Sequence, residues 1–309
     1  MHKGVLVFSL FVSLFLVTVC AEDKTAADKS GELPKPDIAD SKYGPHLANT
    51  FDLWKAKSKK PTSLMIYIHG GGLAAGDKSN INVNRVKALL DAGISVMSIN
   101  YRLTGEAIFP QHYMDCARAI QYARFNAKDL NIDPKLIGAV GASAGGMTSL
   151  WIAFHDDMAD RKNADPVRRE STRLRVVVAI AAQTTLVPDV VAKYVGVLAT
   201  QYQNYYDGRL FGISKEEAMS PKSIDLYKQI SPLTYLTKDD PPVWAVYELP
   251  GKPLTTESTA EYAIHYPGFG RLLKEEMDKL KIECKLVQQE AGQNVNGDMV
   301  AFLSKYLKK

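Results

Sequence analysis

The residues best suited to chemistry are Gly141-Ala142-Ser143-Ala144-Gly145-Gly146, a serine among small neighbours directly after the apolar run 136–140. In a Gly-x-Ser-x-Gly elbow, a strand turns sharply into a helix and presents the serine hydroxyl at the apex of a strained backbone, where bulky neighbours would clash. Met147, Leu150, Trp151 and Phe154 follow at helical spacing and supply the second half of that pattern. The chemistry is nucleophilic attack on a carbonyl carbon, which leaves negative charge on the carbonyl oxygen. A second stretch, His69-Gly70-Gly71-Gly72, follows the strand-like run 63–68. Consecutive glycines lose much conformational entropy on ordering, and they let backbone come close to another group. Donors for a developing oxyanion are then expected from the amides of Gly71 and Gly72 and of Ala144, the residue after the serine.

A serine needs a base, and histidine is the natural candidate. The chain has six histidines and none beyond His265. After the strand-like run 284–288 come Gln293 and Asn294, whose amides cannot take a proton at neutral pH. Loss of the base alone costs about 10⁶-fold in turnover in a serine protease. His265 lies in Ile264-His265-Tyr266-Pro267-Gly268, ahead of a helical pattern, where it can fold back over the cleft and substitute as base, with Glu248 or Asp240 orienting it. His69 reads as packing of the glycine loop, His112 and His155 as helix-borne core or surface residues, and His46 as part of the leader. No two histidines share a metal-ligand spacing with each other or with a cysteine, so neither a metal nor another cofactor is expected.

These residues need a scaffold that brings strand ends together. Runs at 63–68, 94–99, 136–140, 174–182, 243–247 and 284–288 read as strands, with helical patterns between them and after the last. That alternation predicts an α/β fold, a mostly parallel sheet with helices on both faces. The stretch 187–230 exceeds one crossover helix and is expected to form a small cap, its Tyr194, Tyr202, Tyr205, Tyr206 and Phe211 either packing on the sheet or stacking on a sugar or aryl ester. Residues 1–21 read as a secretory signal peptide, with Lys3, the apolar run 5–19 and a cleavage point after Ala21. A lipid tether at Cys20 stays open. Export to the periplasm or medium is expected, with no membrane span once the signal is removed. A polar leader over 22–43 and a single domain over 44–309 complete the organisation. The net charge of +4 gives no reason to expect nucleic acid as partner. Cys116 and Cys284, on distant elements, are expected as separate free thiols.

On His69-Gly70-Gly71-Gly72, Gly76-Asp77-Lys78, Asn100-Tyr101-Arg102-Leu103, Phe109-Pro110 with Asp115, the serine elbow and Asp240-Pro241-Pro242, the chain resembles the α/β-hydrolase superfamily. Within it the likeness is to HGGG-type esterases and lipases, the hormone-sensitive-lipase-like and BD-FAE-like enzymes. The resemblance implies the α/β-hydrolase fold, Ser143 as nucleophile, oxyanion donors at Gly71, Gly72 and Ala144, and small-molecule carboxylic esters, carbohydrate-linked ones among them, as substrates. It also implies an acid after the strand 243–247 and a histidine after 284–288. Lys252 stands at the acid's place, with Glu248 as a substitute, and the histidine is missing. Two readings follow: a secreted serine esterase using Ser143, His265 and Glu248, or a catalytically deficient relative that keeps the cleft for ligand binding or scaffolding. The oligomeric state is not legible.

Overall fold

The computed structural model describes residues 32–196, 208–247, 253–255, 257–288 and 294–308, so the expected signal segment 1–21 lies outside the described residues. All seven side chains of β3 (Thr62–Ile68) are buried. A strand this apolar needs cover on both faces, which crossover helices on a parallel sheet supply. With β1 (Ile38–Lys42), β2 (Thr50–Trp54), β4 (Ile94–Ile99), β5 (Ile132–Ala142), β6 (Val177–Ile180), β7 (Val243–Tyr247) and β8 (Cys284–Gln288) it forms one eight-stranded sheet in the order β1-β2-β4-β3-β5-β6-β7-β8. β1 and β2 pair antiparallel, β2 meets β4 antiparallel, and the strands from β4 to β8 run parallel. Side chains alternate across the sheet. Leu64, Ile66 and Ile68 pack with helices Gln111–Phe125, Ala144–Phe154 and Gly268–Lys279, whereas Met65 and Tyr67 pack with helices Val83–Asp91 and Asn296–Leu307. This is the α/β-hydrolase fold that the motifs imply.

Between β6 and β7 the expected cap region holds the short helices Pro188–Tyr194, Lys215–Ala218 and Ile224–Ile230. Phe211 packs there, edge-on to Phe109 at 6.0 Å and to Tyr227 at 5.6 Å. Tyr202, Tyr205 and Tyr206 lie outside the described residues. Cys116 and Cys284 are buried free thiols, as expected. Among the described residues, no helix is long and apolar enough to cross a membrane.

Two expectations need correction. The polar leader does not extend to Tyr43, because Ile38–Lys42 is an edge strand and His46 lies in its connection to β2. An edge strand exposed on both faces has no apolar period to read, and this one is held by polar contacts: Lys78 Nζ reaches Asp40 and Asp52, each at 2.8 Å. The strand expected over 174–182 is shorter, Val177–Ile180, and it ends where Ala181 turns to φ 47° and leaves the extended region.

In register, Ile68 of β3 sits beside Gly141 of β5, and Ala142 sits beside Ile180 of β6. The glycine loop, the serine elbow and the turn after β6 therefore emerge together at one end of the sheet. The elbow helix starts so close to β3 that a Cβ on Gly145 would lie 2.0 Å from the Ile68 carbonyl oxygen. Asp240, the alternative orienting acid, is at the far end, before β7, where its carboxylate accepts from the Thr237 amide at 2.6 Å and lies 3.5 Å from Arg173 Nη1. It cannot orient His265 from there.

Gly145→Ala sets helix propensity, which favours alanine by about 1 kcal/mol, against a clash with backbone that has no rotamer to yield. We expect the clash to prevail and stability in urea to fall by about 1–3 kcal/mol; an unchanged or higher midpoint would contradict this close packing. Burial pushes the Asp240 carboxyl up to about 6. A carboxyl raised on folding binds its proton more tightly in the native state, so its stabilising protonation is present at acid pH and lost as pH rises through about 6. Relative to wild type, Asp240→Asn should therefore gain about 1–2 kcal/mol between roughly pH 4.5 and 7.5 in urea titrations, and a pH-independent difference would contradict the shift.

Candidate active site

Ser143 follows β5 and precedes the helix Ala144–Phe154 with φ 51° and ψ −122°, a region that non-glycine residues avoid. Its amide donates to Ile180 O at 2.8 Å and its carbonyl accepts from the Met147 amide at 2.9 Å. The hydroxyl is left for other partners. It meets Nε2 of His265 at 2.8 Å. His265, the expected stand-in base, therefore reaches the serine in this structure. It does so as the residue that caps the helix Ala260–Ile264, whose start is capped by Thr259 accepting from the Tyr262 amide at 3.1 Å.

The other ring nitrogen, Nδ1, lies 3.0 Å from Glu261 Oε1, four residues earlier on the same helix. A carboxylate accepts, so Nδ1 carries the hydrogen and Nε2 is free to accept from the serine. The hydrogen bond from His265 holds the Glu261 carboxyl below the usual carboxylate range, despite the opposing effect of partial burial. Glu261 was not anticipated from sequence. Its signal was available as a glutamate at i−4 from His265, behind a Thr259 cap, the spacing that brings two side chains together on one helical face. Glu248, the expected acid, lies outside the described residues, as does Gln293. Asn294 closes its own turn by accepting from the Asn296 amide at 3.0 Å.

The glycine loop lies against the elbow. A Cβ on Gly70 would meet Ala142 O at 2.9 Å and the Ser143 Cβ at 3.5 Å. Gly71 and Gly72 take φ 99° and 61°, and a Cβ on Gly71 would lie 2.2 Å from Ala75 O. The Gly71 carbonyl accepts from the amides of Ala74 and Ala75, each at 3.0 Å, which closes the loop on itself. Ala144 opens the elbow helix, so its amide lacks an intrahelical acceptor. Around the loop, Asn100 accepts from the Lys78 amide at 2.6 Å and donates to Asp77 at 2.7 Å. Arg102 grips Asp115 through Nε at 2.7 Å and Nη2 at 2.6 Å.

The remaining described histidines are occupied elsewhere. His69 is buried and stacked on Tyr101 at 4.3 Å, its Nδ1 donating to Gly70 O at 2.8 Å, while the Tyr101 hydroxyl donates to His69 O at 2.8 Å. Burial lowers its pKa, so it is a neutral packing residue of the loop. His112 is buried, with its pKa lowered by burial to about 4, and lies 3.4 Å from Thr104 Oγ1. His155 packs between Trp151 and Tyr235, and His46 Nδ1 accepts from the Ala48 amide. Among the described residues, no three His, Cys, Asp or Glu side chains gather as a metal site.

The BD-FAE family profile matches residues 51–247. Esterase LipQ of Mycobacterium tuberculosis (strain ATCC 25618 / H37Rv) is 25% identical over 245 residues, which cover 73% of this chain and 54% of LipQ. Arylesterase of Saccharolobus solfataricus is 37% identical over 84 residues, 27% of each chain. The chain thus spans about half the length of LipQ and about a quarter of the arylesterase. Among solved structures, a truncated form of carbohydrate esterase from gut microbiota aligns over 89% of this chain and 98% of its own, with a TM-score of 0.68 and 20% identity. Propionate-bound Est2 of Thermogutta terrifontis aligns over 90% and 95%, with a TM-score of 0.63 and 18% identity. Both share the fold. The family match spans β2 to the end of β7, taking in the glycine loop and the elbow and ending before Glu261 and His265. By that match the chain belongs to the BD-FAE family.

Proposed function

We propose that this protein is a serine hydrolase of carboxylic esters, with Ser143 as nucleophile, His265 as general base and Glu261 as the acid that orients it. The observation that carries the reading is the 2.8 Å contact between His265 Nε2 and Ser143 Oγ, with Glu261 3.0 Å behind the ring. As Ser143 Oγ bonds to the ester carbonyl carbon, its proton passes to His265 Nε2, and Glu261 stabilises the imidazolium that results. The carbonyl oxygen becomes an oxyanion and receives hydrogen bonds from the amides of Gly71, Gly72 and Ala144. The imidazolium then protonates the departing alkoxide. Water, deprotonated by the same nitrogen, attacks the acyl-serine and releases the acid.

The missing histidine after β8 favours the alternative of a catalytically deficient ligand-binding or scaffold protein, and the position of His265 supports catalysis over it. The carbohydrate esterase among the structural neighbours supports carbohydrate-linked esters among the substrates. The apolar run 5–19 after Lys3 supports export to the periplasm or medium through a signal peptide over 1–21. N-terminal sequencing of exported protein should begin at Glu22, and a chain that still starts at Met1 would contradict cleavage.

Hydrolysis of a short-chain aryl ester tests the chemistry. Ser143→Ala and His265→Ala should each lower kcat by about 10⁴–10⁶-fold. The Glu261 side chain is 44% exposed, so water already solvates part of its charge and Glu261→Gln should cost less, about 10–10³-fold. Wild-type turnover in either the serine or the histidine variant would defeat the mechanism.

A further inference from the structure

The proposed base is carried by a helix of five residues, Ala260–Ile264, too short to hold itself in place. Its last carbonyls lack intrahelical partners. One of them, Ile264 O, immediately before His265, accepts from Nε2 of Gln183 at 2.6 Å. Gln183 is 2% exposed and belongs to the turn after β6. The next residue, Thr184, donates from Oγ1 to Phe269 O at 3.0 Å, so the turn grips the chain on both sides of His265.

The turn is itself fixed. Ala181, at φ 47°, still donates to Val246 O at 2.8 Å, and Ala182 O accepts from the Tyr247 hydroxyl at 2.6 Å. The Ala182 methyl lies against the elbow helix, 2.9 Å from where a Cβ on Gly146 would stand. The amide of Ser143 donates to Ile180 O, three residues ahead of Gln183. Residues 180–184 thus hold the nucleophile through Ile180 and the base through Gln183 and Thr184.

We propose that Gln183 is a positioning residue that sets the distance between Ser143 and His265. The proposal rests on the Ser143–His265 esterase reading. Gln183 touches neither reacting atom and acts through the backbone of Ile264. Without its donor, the short helix loses the tie nearest the imidazole, and a displacement of about 1 Å costs on the order of 10²-fold in rate.

The test is a double-mutant cycle on aryl-ester hydrolysis, with thermal melts of every variant. Gln183→Met keeps the shape and removes the donor; Gln183→Glu keeps shape and polarity, and its carboxylate offers no N–H. In the wild-type background each should lower kcat by about 10–10²-fold with KM changed less than about twofold. In the His265→Ala background Gln183→Met should leave the residual rate unchanged, because the group it positions is gone. An equal loss in both backgrounds would mean that Gln183 supports the fold or the elbow, and would overturn the proposal. So would wild-type kcat in both Gln183 variants. Full activity in Ser143→Ala or His265→Ala would be seen separately, and would overturn the esterase reading and this inference together.

Discussion

The hydrogen bond between Ser143 Oγ and His265 Nε2 joins segments 122 residues apart, and its length is what the surrounding structure maintains. A hydroxyl is a weak nucleophile until a base stands within about 2.6–3.2 Å. The two ends are supported differently. Ser143 is held by a strand, a helix and the Ile180 carbonyl, whereas His265 is held by a five-residue helix and the turn after β6. The bond depends on parallel strands of matched register that end on one level.

Backbone strain at the elbow is sustained by that framework. A residue at φ 51° and ψ −122° costs about 1–3 kcal/mol and persists only when its surroundings over-determine it. Here the helix entering against β3, with Gly145 facing the Ile68 carbonyl, leaves no room for relaxation. Ala181 takes a second strained conformation at the end of the adjacent strand. Both outliers turn the chain out of the sheet where the proposed nucleophile and the support of its proposed base are needed.

Much of this was legible in the sequence for a simple reason: strands, elbow and glycine loop are local patterns. Strand-like runs bounded by turn residues gave β3, β4, β7 and β8 nearly to the residue, and small residues around Ser143 announced the turn. β1 was missed because a solvated edge strand shows no alternation. Glu261 was not legible because the resemblance implies an acid after β7, where Lys252 stands and Glu248 is the substitute, whereas the relation of Glu261 to His265 depends on a short helix that forms between Thr259 and His265. Gln183 was invisible for another reason. Its partner is a backbone carbonyl 81 residues away, a contact that only the folded chain creates.

The most direct measurement is covalent capture of the nucleophile. Wild-type protein is treated with a fluorophosphonate, the adduct is mapped by mass spectrometry of peptides, and the labelling rate is compared with that of His265→Ala. The expected result is a single adduct on Ser143 that forms at least about 10³-fold more slowly once the imidazole is removed. An adduct on another residue, or a Ser143 adduct formed equally fast without His265, would contradict the proposed pairing of nucleophile and base.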